Sequence, residues 1–240
     1  MRFYMNKFSL ALNSLKNQRT ALKRGTGAIA LSILLLTLTT AKADAQESLQ
    51  IGVRGGLNLI KVTGRSFNTK TQPGANVGIY GELNFSKQWT LQPELVWNQI
   101  VTKTGDQFGQ IYPGIGVTGG QAINNYLALP VLVSFKPTPE LSLQLGPQYG
   151  YLVNQTQGLR RDDADKGIFS HSDLAIVFGG QLNLGKVKVG ARYYINISDV
   201  NGINNSDQWR QHGFQAYLAY QIKDIKLKHK SSSVAPARGK

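Results

Sequence analysis

The chain has 240 residues, with 27 Lys and Arg against 13 Asp and Glu, three histidines and no cysteine. The lack of cysteine excludes a disulfide scaffold, a thiolate metal site and a cysteine nucleophile, and three histidines argue against a histidine-rich metal centre. The formal net charge of +14 is concentrated at the two ends, because residues 1–45 carry a net +6, residues 223–240 a net +5 and residues 46–222 only +3. This distribution argues against a basic nucleic-acid-binding face on the folded domain.

The first segment has the three-part order of a secretory signal peptide. Residues 1–27 are basic and polar, residues 28–41 form an uncharged, mostly apolar run, and Ala43-Asp44-Ala45 is a small-x-small site. The run of 14 residues is shorter than the roughly 20 needed to cross a bilayer as a helix. We therefore predict a signal peptide over 1–45, cleaved near Gln46, and export of the mature chain. A retained anchor or a buried helix is the alternative.

The rest of the chain alternates between apolar and polar residues, which is typical of β-strands. One face of each segment carries large apolar and aromatic side chains, and the other carries mostly Gly, Gln, Asn and Ser. Each segment has about 10 residues, the length of a tilted membrane-spanning strand. The eight segments are 49–59, 75–85, 89–98, 126–136, 141–151, 173–184, 187–196 and 213–222.

The connections between these segments alternate between long and short. The long, polar ones are 60–74, 101–122, 154–172 and 198–210, and the short ones are 86–88, 137–140 and 185–186. This layout predicts an all-β fold, an eight-stranded antiparallel up-and-down transmembrane β-barrel with short periplasmic turns and long outer loops. The barrel is predicted to span 46–222 and to be followed by a basic C-terminal tail, 223–240, that we expect to be disordered.

A soluble sandwich or lipocalin-like barrel would alternate as well, so the chemistry of the two faces must decide. The polar face is too rich in amide groups for a dry core, where each poorly paired group costs several kcal/mol, on the order of 2–7. A narrow wet lumen with the apolar face in lipid avoids that cost. The membrane barrel is therefore the preferred interpretation.

Four charged residues occupy strand positions whose side chains are predicted to face the lumen. Counted along their strands, they also lie at similar depths, so arginines and carboxylates should meet in nearby layers. We predict a lumen charge network of Arg54, Glu82, Glu94 and Arg192. The apolar face supplies candidates for the interfacial aromatic girdles, namely Trp89, Trp97, Tyr149, Tyr151, Tyr193 and Tyr220.

Motifs that could carry chemistry lack their required context. Residues 114–119 match a GxGxxG pattern but fall in a long loop, not between a strand and a helix. In Ser170-His171-Ser172-Asp173 the alternation places His171 and Asp173 in the lumen and both serines outside, so no triad forms. We expect no catalytic residue, no cofactor and no metal site, and hence a protein that is not an enzyme.

Several short stretches resemble the Bacteroidetes-type outer-membrane β-barrel family that includes PorT-like proteins. They are Gly52–Asn58, Leu91–Trp97, Asn125–Lys136, Leu143–Tyr149 and Gly190–Tyr194. The likeness covers about 49–222 and implies the outer membrane of a Gram-negative bacterium, with no catalytic residues. The chain departs from the family in the 18 residues that follow Ile222.

The expected function is a structural or interaction role in the cell envelope, exercised through outer loops or periplasmic contacts. The PorT-like resemblance implies an accessory role in protein secretion as one form of it. Expected partners are outer-membrane lipids and lipopolysaccharide, the barrel-assembly machinery, and a secretion or envelope complex, without nucleic acid. The alternatives are a barrel enzyme that modifies lipid or peptide, and a small solute channel.

Overall fold

The structure, a computed structural model, describes residues 48–65, 67, 70–112, 115–117, 121–155, 159–161, 164–203 and 208–227. The predicted signal peptide with its cleavage site near Gln46, part of the 114–119 glycine motif and residues 228–240 of the predicted tail lie outside the described residues. Within the described part of the chain, no helix is long and apolar enough to cross a membrane.

Eight long antiparallel strands close into a barrel, which confirms the predicted fold class. They are β1 Ser48–Thr63, β2 Gln72–Asn84, β3 Trp89–Lys103, β5 Gln121–Thr138, β6 Leu141–Gln155, β9 Ser172–Leu184, β10 Val187–Asn196 and β11 Arg210–Lys226. The order around the barrel is β1-β11-β10-β9-β6-β5-β3-β2, so sequential strands are neighbours and β1 pairs with β11 to close the sheet.

The long connections contain regular structure that the sequence pattern does not show. A short helix, α1 (Phe108–Ile111), is followed by β4 (Ile115–Val117), and β7 (Leu159–Arg161) and β8 (Ala164–Gly167) form a hairpin. These three short strands make a small separate sheet in the order β4-β7-β8. The connections were predicted only as long polar loops, because elements of three or four residues are too short to show a period.

The last strand is longer than predicted, which moves the boundary between barrel and tail. Lys223 pairs with Ile51 and Lys226 with Ser48, so residues 223–226 complete β11. The predicted end at Ile222 was therefore wrong by four residues. A register shift beside Ile51 and Gly52 leaves Ile222 as an extra residue. This bulge and the polar residues after it interrupt the alternation, although the backbone pairing that closes the barrel continues.

The two faces of the sheet have the inverted character of a membrane barrel. On β6, Leu143 and Leu145 are 49% and 57% exposed, whereas Gln144 between them is 3% exposed. The same alternation of exposed apolar and buried polar residues runs through the other long strands. Exposing apolar side chains to water costs free energy, and this cost disappears when the exterior faces the hydrocarbon of a bilayer. The amide side chains of the lumen must hydrogen-bond to one another.

At one end of the barrel the strands are joined by tight turns. The connection between β9 and β10 has two residues, and its Gly185 has a φ of 68°, a conformation that glycine adopts without strain. The end with the short connections corresponds to the periplasmic side of an outer-membrane barrel, so we call it the inner end. The long connections meet at the opposite, outer end.

Candidate functional site

The centre of the lumen holds a carboxylate shared by two arginines. Glu94 Oε2 accepts hydrogen bonds from Arg54 Nη1 at 2.5 Å and Arg192 Nη1 at 2.9 Å. Glu94 Oε1 accepts from Arg192 Nη2 and Gln92 Nε2, both at 2.7 Å. All four side chains are buried. Arg192 thus forms a two-bond fork with the carboxylate, an arrangement that fixes both distance and orientation.

Both guanidinium groups that pair with Glu94 lie over the face of one aromatic ring. Arg54 Cζ is 3.9 Å and Arg192 Cζ 4.5 Å from the centre of the Tyr217 ring. Cations over an aromatic face are attracted by its quadrupole, more so when they are desolvated. The ring lies so close to Gly190 that a Cβ atom there would be 2.1 Å from its Cζ. A lumen-facing glycine therefore makes the room for Tyr217.

Closer to the inner end, Glu82 pairs with lysines, not with the arginines that the sequence suggested. Lys188 Nζ donates to Glu82 Oε1 at 2.5 Å and to Gln50 Oε1 at 3.2 Å. Lys136 Nζ lies 3.6 Å from Glu82 Oε2 and donates to Asn84 at 2.8 Å. Alternation along β10 predicts that Lys188 faces the lumen. Its contact with Glu82 of β2 joins two strands that are not neighbours, so alternation within one strand cannot predict it.

The two ionic groups are linked by glutamines. Gln181 Nε2 lies 3.3 Å from Glu82 Oε1, Gln144 Nε2 lies 3.4 Å from Gln181 Oε1, and Arg192 Nε donates to Gln144 Oε1 at 2.8 Å. We call Arg54, Glu82, Glu94, Lys136, Lys188 and Arg192 the inner charge layer. The structure therefore brings Arg54, Glu94 and Arg192 into direct contact and joins Glu82 to them through Gln181, Gln144 and the Tyr217 hydroxyl.

A polar cavity of about 330 Å³ lies at the inner end, below this layer. It is lined by residues that include Gln50, Lys136 and Lys188. Its two lysines are the same ones that pair with Glu82. The cavity therefore borders the charge layer, and its cationic groups already have a carboxylate partner.

The outer end of the lumen holds a cluster of aromatic side chains, which the sequence pattern did not indicate. The Trp209 ring centre lies 4.7 Å from that of Phe67, 5.4 Å from Phe169, 5.6 Å from Tyr112 and 6.4 Å from Phe108. These five side chains, the outer aromatic core, are buried. They come from all four long connections, so the connections converge over the mouth of the barrel.

Strand residues form the base of this core. They are Ile60, Val62, Ile100, Ala122, Tyr126, Leu132, Leu152, Ala175, Val177 and Tyr194. A polar group lies beside them, in which Tyr194 Oη and Asn196 Nδ2 donate to the carboxylate of Asp173. The edge-to-face and tilted packing of the rings in the outer aromatic core stabilises the fold by more than its buried area alone would provide. The outer end of the lumen thus combines aromatic packing with one buried carboxylate group, whereas the inner end holds the inner charge layer.

The predicted interfacial aromatics all lie on the outward face. Trp89, Trp97, Tyr149, Tyr151 and Tyr220 are exposed, and Tyr193 is half-buried between Phe178 and Phe214. Trp89 directly follows a short connection and Tyr220 pairs with the first residue of β10, so both lie towards the inner end. Tyr151 pairs with Ser172, the first residue of β9, near the outer end.

The segment Ser170–Asp173 does not assemble a catalytic group. Asp173 is buried in the lumen, but His171 is exposed and its ring packs 6.3 Å from that of Tyr151 on the outside. The expectation that His171 faces the lumen was wrong, because regular alternation begins only with β9 at Ser172. No group of three or more His, Cys, Asp or Glu side chains suited to a metal occurs among the described residues.

A closed antiparallel barrel with an apolar exterior and a polar, ion-paired interior defines an outer-membrane-type β-barrel. Residues 44–202 match a family model described as outer membrane protein beta-barrel domain, and the chain belongs to this family. The protein is therefore a barrel of the Gram-negative outer membrane. Among curated proteins, none matches the chain significantly.

Three outer-membrane proteins are among the solved structures to which the chain is similar. Ail, the attachment invasion locus protein of Yersinia pestis, in complex with the heparin analogue sucrose octasulfate, has 14% identity and a TM-score of 0.43, covering 74% of this chain and 99% of its own. Neisserial surface protein A has 11% identity and a TM-score of 0.44, covering 74% and 98%. OprG from Pseudomonas aeruginosa has 11% identity and a TM-score of 0.41, covering 74% and 98%.

Proposed function

We propose that the protein is a closed, non-enzymatic barrel with a structural or interaction role in the cell envelope. One observation carries the proposal: the described lumen is filled at two levels, by the inner charge layer and by the outer aromatic core. An eight-stranded barrel has an interior just wide enough for its own side chains. Its functional surfaces are then the outer connections and the inner rim.

The arrangement of the interior argues against both alternatives. A solute path would have to displace Arg54 and Arg192 from Glu94, leaving buried charges unpaired, which costs on the order of 3–5 kcal/mol. A barrel enzyme needs an acid, base or nucleophile within reach of its substrate. Both oxygens of Glu94 accept hydrogen bonds from protein groups, and Asp173 is separated from the exposed His171 by the barrel wall.

The outer connections are the proposed surface for the interaction role. Because the outer aromatic core ties all four together, they form one platform instead of four independent loops. The small sheet of β4, β7 and β8 extends this platform with further backbone pairing. The proposed partners are outer-membrane lipids and lipopolysaccharide, the barrel-assembly machinery and an envelope complex, with no nucleic acid. Assistance to a secretion machine is the specific form that the PorT-like resemblance supports.

Conductance measurement tests the closed state. We expect the full protein, inserted into planar bilayers, to give no stepwise single-channel current, because both levels of the lumen are filled. We also expect no turnover when the reconstituted protein is incubated with phospholipid, lipid A and peptide substrates. A reproducible ohmic conductance from folded, unmodified protein would contradict the closed state. Product formation that saturates with substrate would contradict the non-enzymatic role.

A further inference from the structure

The charged residues on the outside of the barrel are distributed unevenly around its circumference. On β5, β6, β9 and β10 every outward-facing position of the described strands is uncharged. On the outer halves of β11, β1 and β3, the outward-facing positions include three permanent cations, Lys61, Lys103 and Arg210. Among the described strand positions, the outward face is therefore basic at the outer edge of β11, β1 and β3 and uncharged on β5, β6, β9 and β10.

The outward placement of these cations follows from their neighbours. Lys61 lies between the buried Ile60 and Val62, and Lys103 follows the buried Thr102. Arg210 is exposed and precedes Gln211, which is fully buried. Alternation in a strand places each cation on the side opposite its buried neighbour, which here is the lipid-facing side.

The cations begin where the apolar exterior ends. Leu59 pairs with Phe214, and both are exposed large hydrophobics; the next outward pair along the two strands is Lys61 with His212. The pair after that is Thr63 with Arg210. Since the apolar exterior marks the hydrocarbon, these residues lie at the level where lipid headgroups begin. On β3, Lys103 is the last outward position and is exposed, whereas Val101, the outward position before it, is buried.

Among the described residues, no carboxylate forms an ion pair with Lys61, Lys103 or Arg210. The exposed Asp199 precedes β11, and its Oδ1 accepts the backbone N–H groups of Asn201 and Trp209. We call Lys61, Lys103, Arg210 and the adjacent His212 the outer basic arc.

We propose, as a step that rests on the envelope role proposed above, that the outer basic arc binds the phosphate groups of an anionic glycolipid in the outer leaflet. The arc is continuous with the lipid-contacting surface, so a lipid whose chains pack on Leu59 and Phe214 would present its headgroup to Lys61, His212 and Arg210. Long basic side chains reach headgroup phosphates from such positions and bind them with charge-assisted hydrogen bonds. Because only one half of the barrel carries the arc, the glycolipid would occupy one side of the protein preferentially.

Lipid titration with a matched control variant tests this site, independently of conductance or turnover. The full chain, purified from the outer membrane and held in zwitterionic detergent, is titrated with bisphosphorylated lipid A while bound lipid is measured by native mass spectrometry. The arc variant is Lys61→Gln, Lys103→Gln and Arg210→Gln. The control, Lys87→Gln, Lys186→Gln and Lys226→Gln, removes the same charge from exposed positions at the inner end.

We expect the arc variant to lose at least about tenfold in lipid A affinity, since each basic residue near an anionic lipid surface contributes about fivefold. The inner-end control should stay within about twofold of the unmodified protein. Dephosphorylated lipid A should bind the unmodified protein as weakly as bisphosphorylated lipid A binds the arc variant. A charge-conserving variant, Lys61→Arg, Lys103→Arg and Arg210→Lys, should retain affinity and shows that charge, not folding, is responsible.

Three results would overturn the proposal. One is equal affinity of the arc variant and the unmodified protein for bisphosphorylated lipid A. Another is an equal loss in the arc variant and the inner-end control, which would mean a response to net charge alone. The third is self-association of the unmodified protein that disappears in the arc variant while lipid A affinity is unchanged, because the arc would then contact a second copy.

Discussion

At the scale of single residues, Glu94 is central to the inner charge layer, because its single carboxylate pairs with two guanidinium groups. Its four hydrogen bonds come from Arg54, Arg192 and Gln92. Removing it leaves two buried cations close together, both over the ring of Tyr217. Removing Arg54 instead leaves the fork between Arg192 and Glu94 intact. The three residues therefore differ in importance although they belong to one cluster.

We accordingly predict that Glu94→Gln lowers the free energy of unfolding in lipid vesicles by about 3–5 kcal/mol, the cost of breaking a buried ion pair. Arg54→Leu alone should cost less, and in the double variant it should recover part of the loss, since only one unpaired guanidinium then remains. Reversible urea unfolding of all four proteins gives the coupling free energy. Gln148→Ala, at another buried polar position of the lumen, is the control. Strict additivity between positions 54 and 94 would contradict the shared carboxylate.

Alternation and depth along the strands were sufficient to predict that Arg54, Glu94 and Arg192 share the lumen. They were insufficient for Lys188 and Lys136, which have no sequence neighbour that marks them as partners of Glu82. The contact between Glu82 and Lys188 joins residues 106 positions apart across the barrel. It depends on barrel diameter and stagger, which alternation does not determine.

At the scale of elements, the strands were predictable and the connections were not. In a strand every second side chain faces the same side, so the eight barrel strands could be identified from the sequence and only their ends were misplaced. The outer aromatic core consists of scattered aromatic residues, two from the connection that follows β3 and one from each of the other three long connections. No periodicity marks them. The one available signal was the presence of Trp, Phe and Tyr in segments that are otherwise polar.

The assignment of the outer face of each strand gives a depth-dependent prediction. Val131 is the middle member of the outward apolar series on β5, whereas Leu143 lies two residues from the inner end of β6. Arginine should cost about 2–4 kcal/mol at the bilayer midplane and about 0–1 kcal/mol near the interface. We therefore expect Val131→Arg to lower the free energy of unfolding in lipid vesicles by more than Leu143→Arg does. Equal costs at the two positions would contradict the assignment of this face to lipid.

At the scale of the whole molecule, the lumen has two closures of different chemistry in series. The inner charge layer is made by strand residues and the outer aromatic core mainly by connection residues. Strand side chains are fixed by the barrel, whereas the outer closure depends on four connections folding together. In a series arrangement, opening one closure leaves the other as the barrier to ion flow. The barrel is therefore expected to remain closed when either end alone is disturbed.

This arrangement predicts the behaviour of three variants in planar bilayers. Serine at Arg54, Glu94 and Arg192 opens the inner layer, and serine at Phe67, Tyr112 and Trp209 opens the outer core. Because each variant retains the other closure, neither should conduct. Their combination should give discrete current steps, since serine is small and its hydroxyl supports water in the space left behind. Heat-modifiable gel mobility verifies that each variant is folded before it is measured. Conductance from the inner-layer variant alone would show that the outer aromatic core does not seal the barrel, because ions would then pass the connections that it joins.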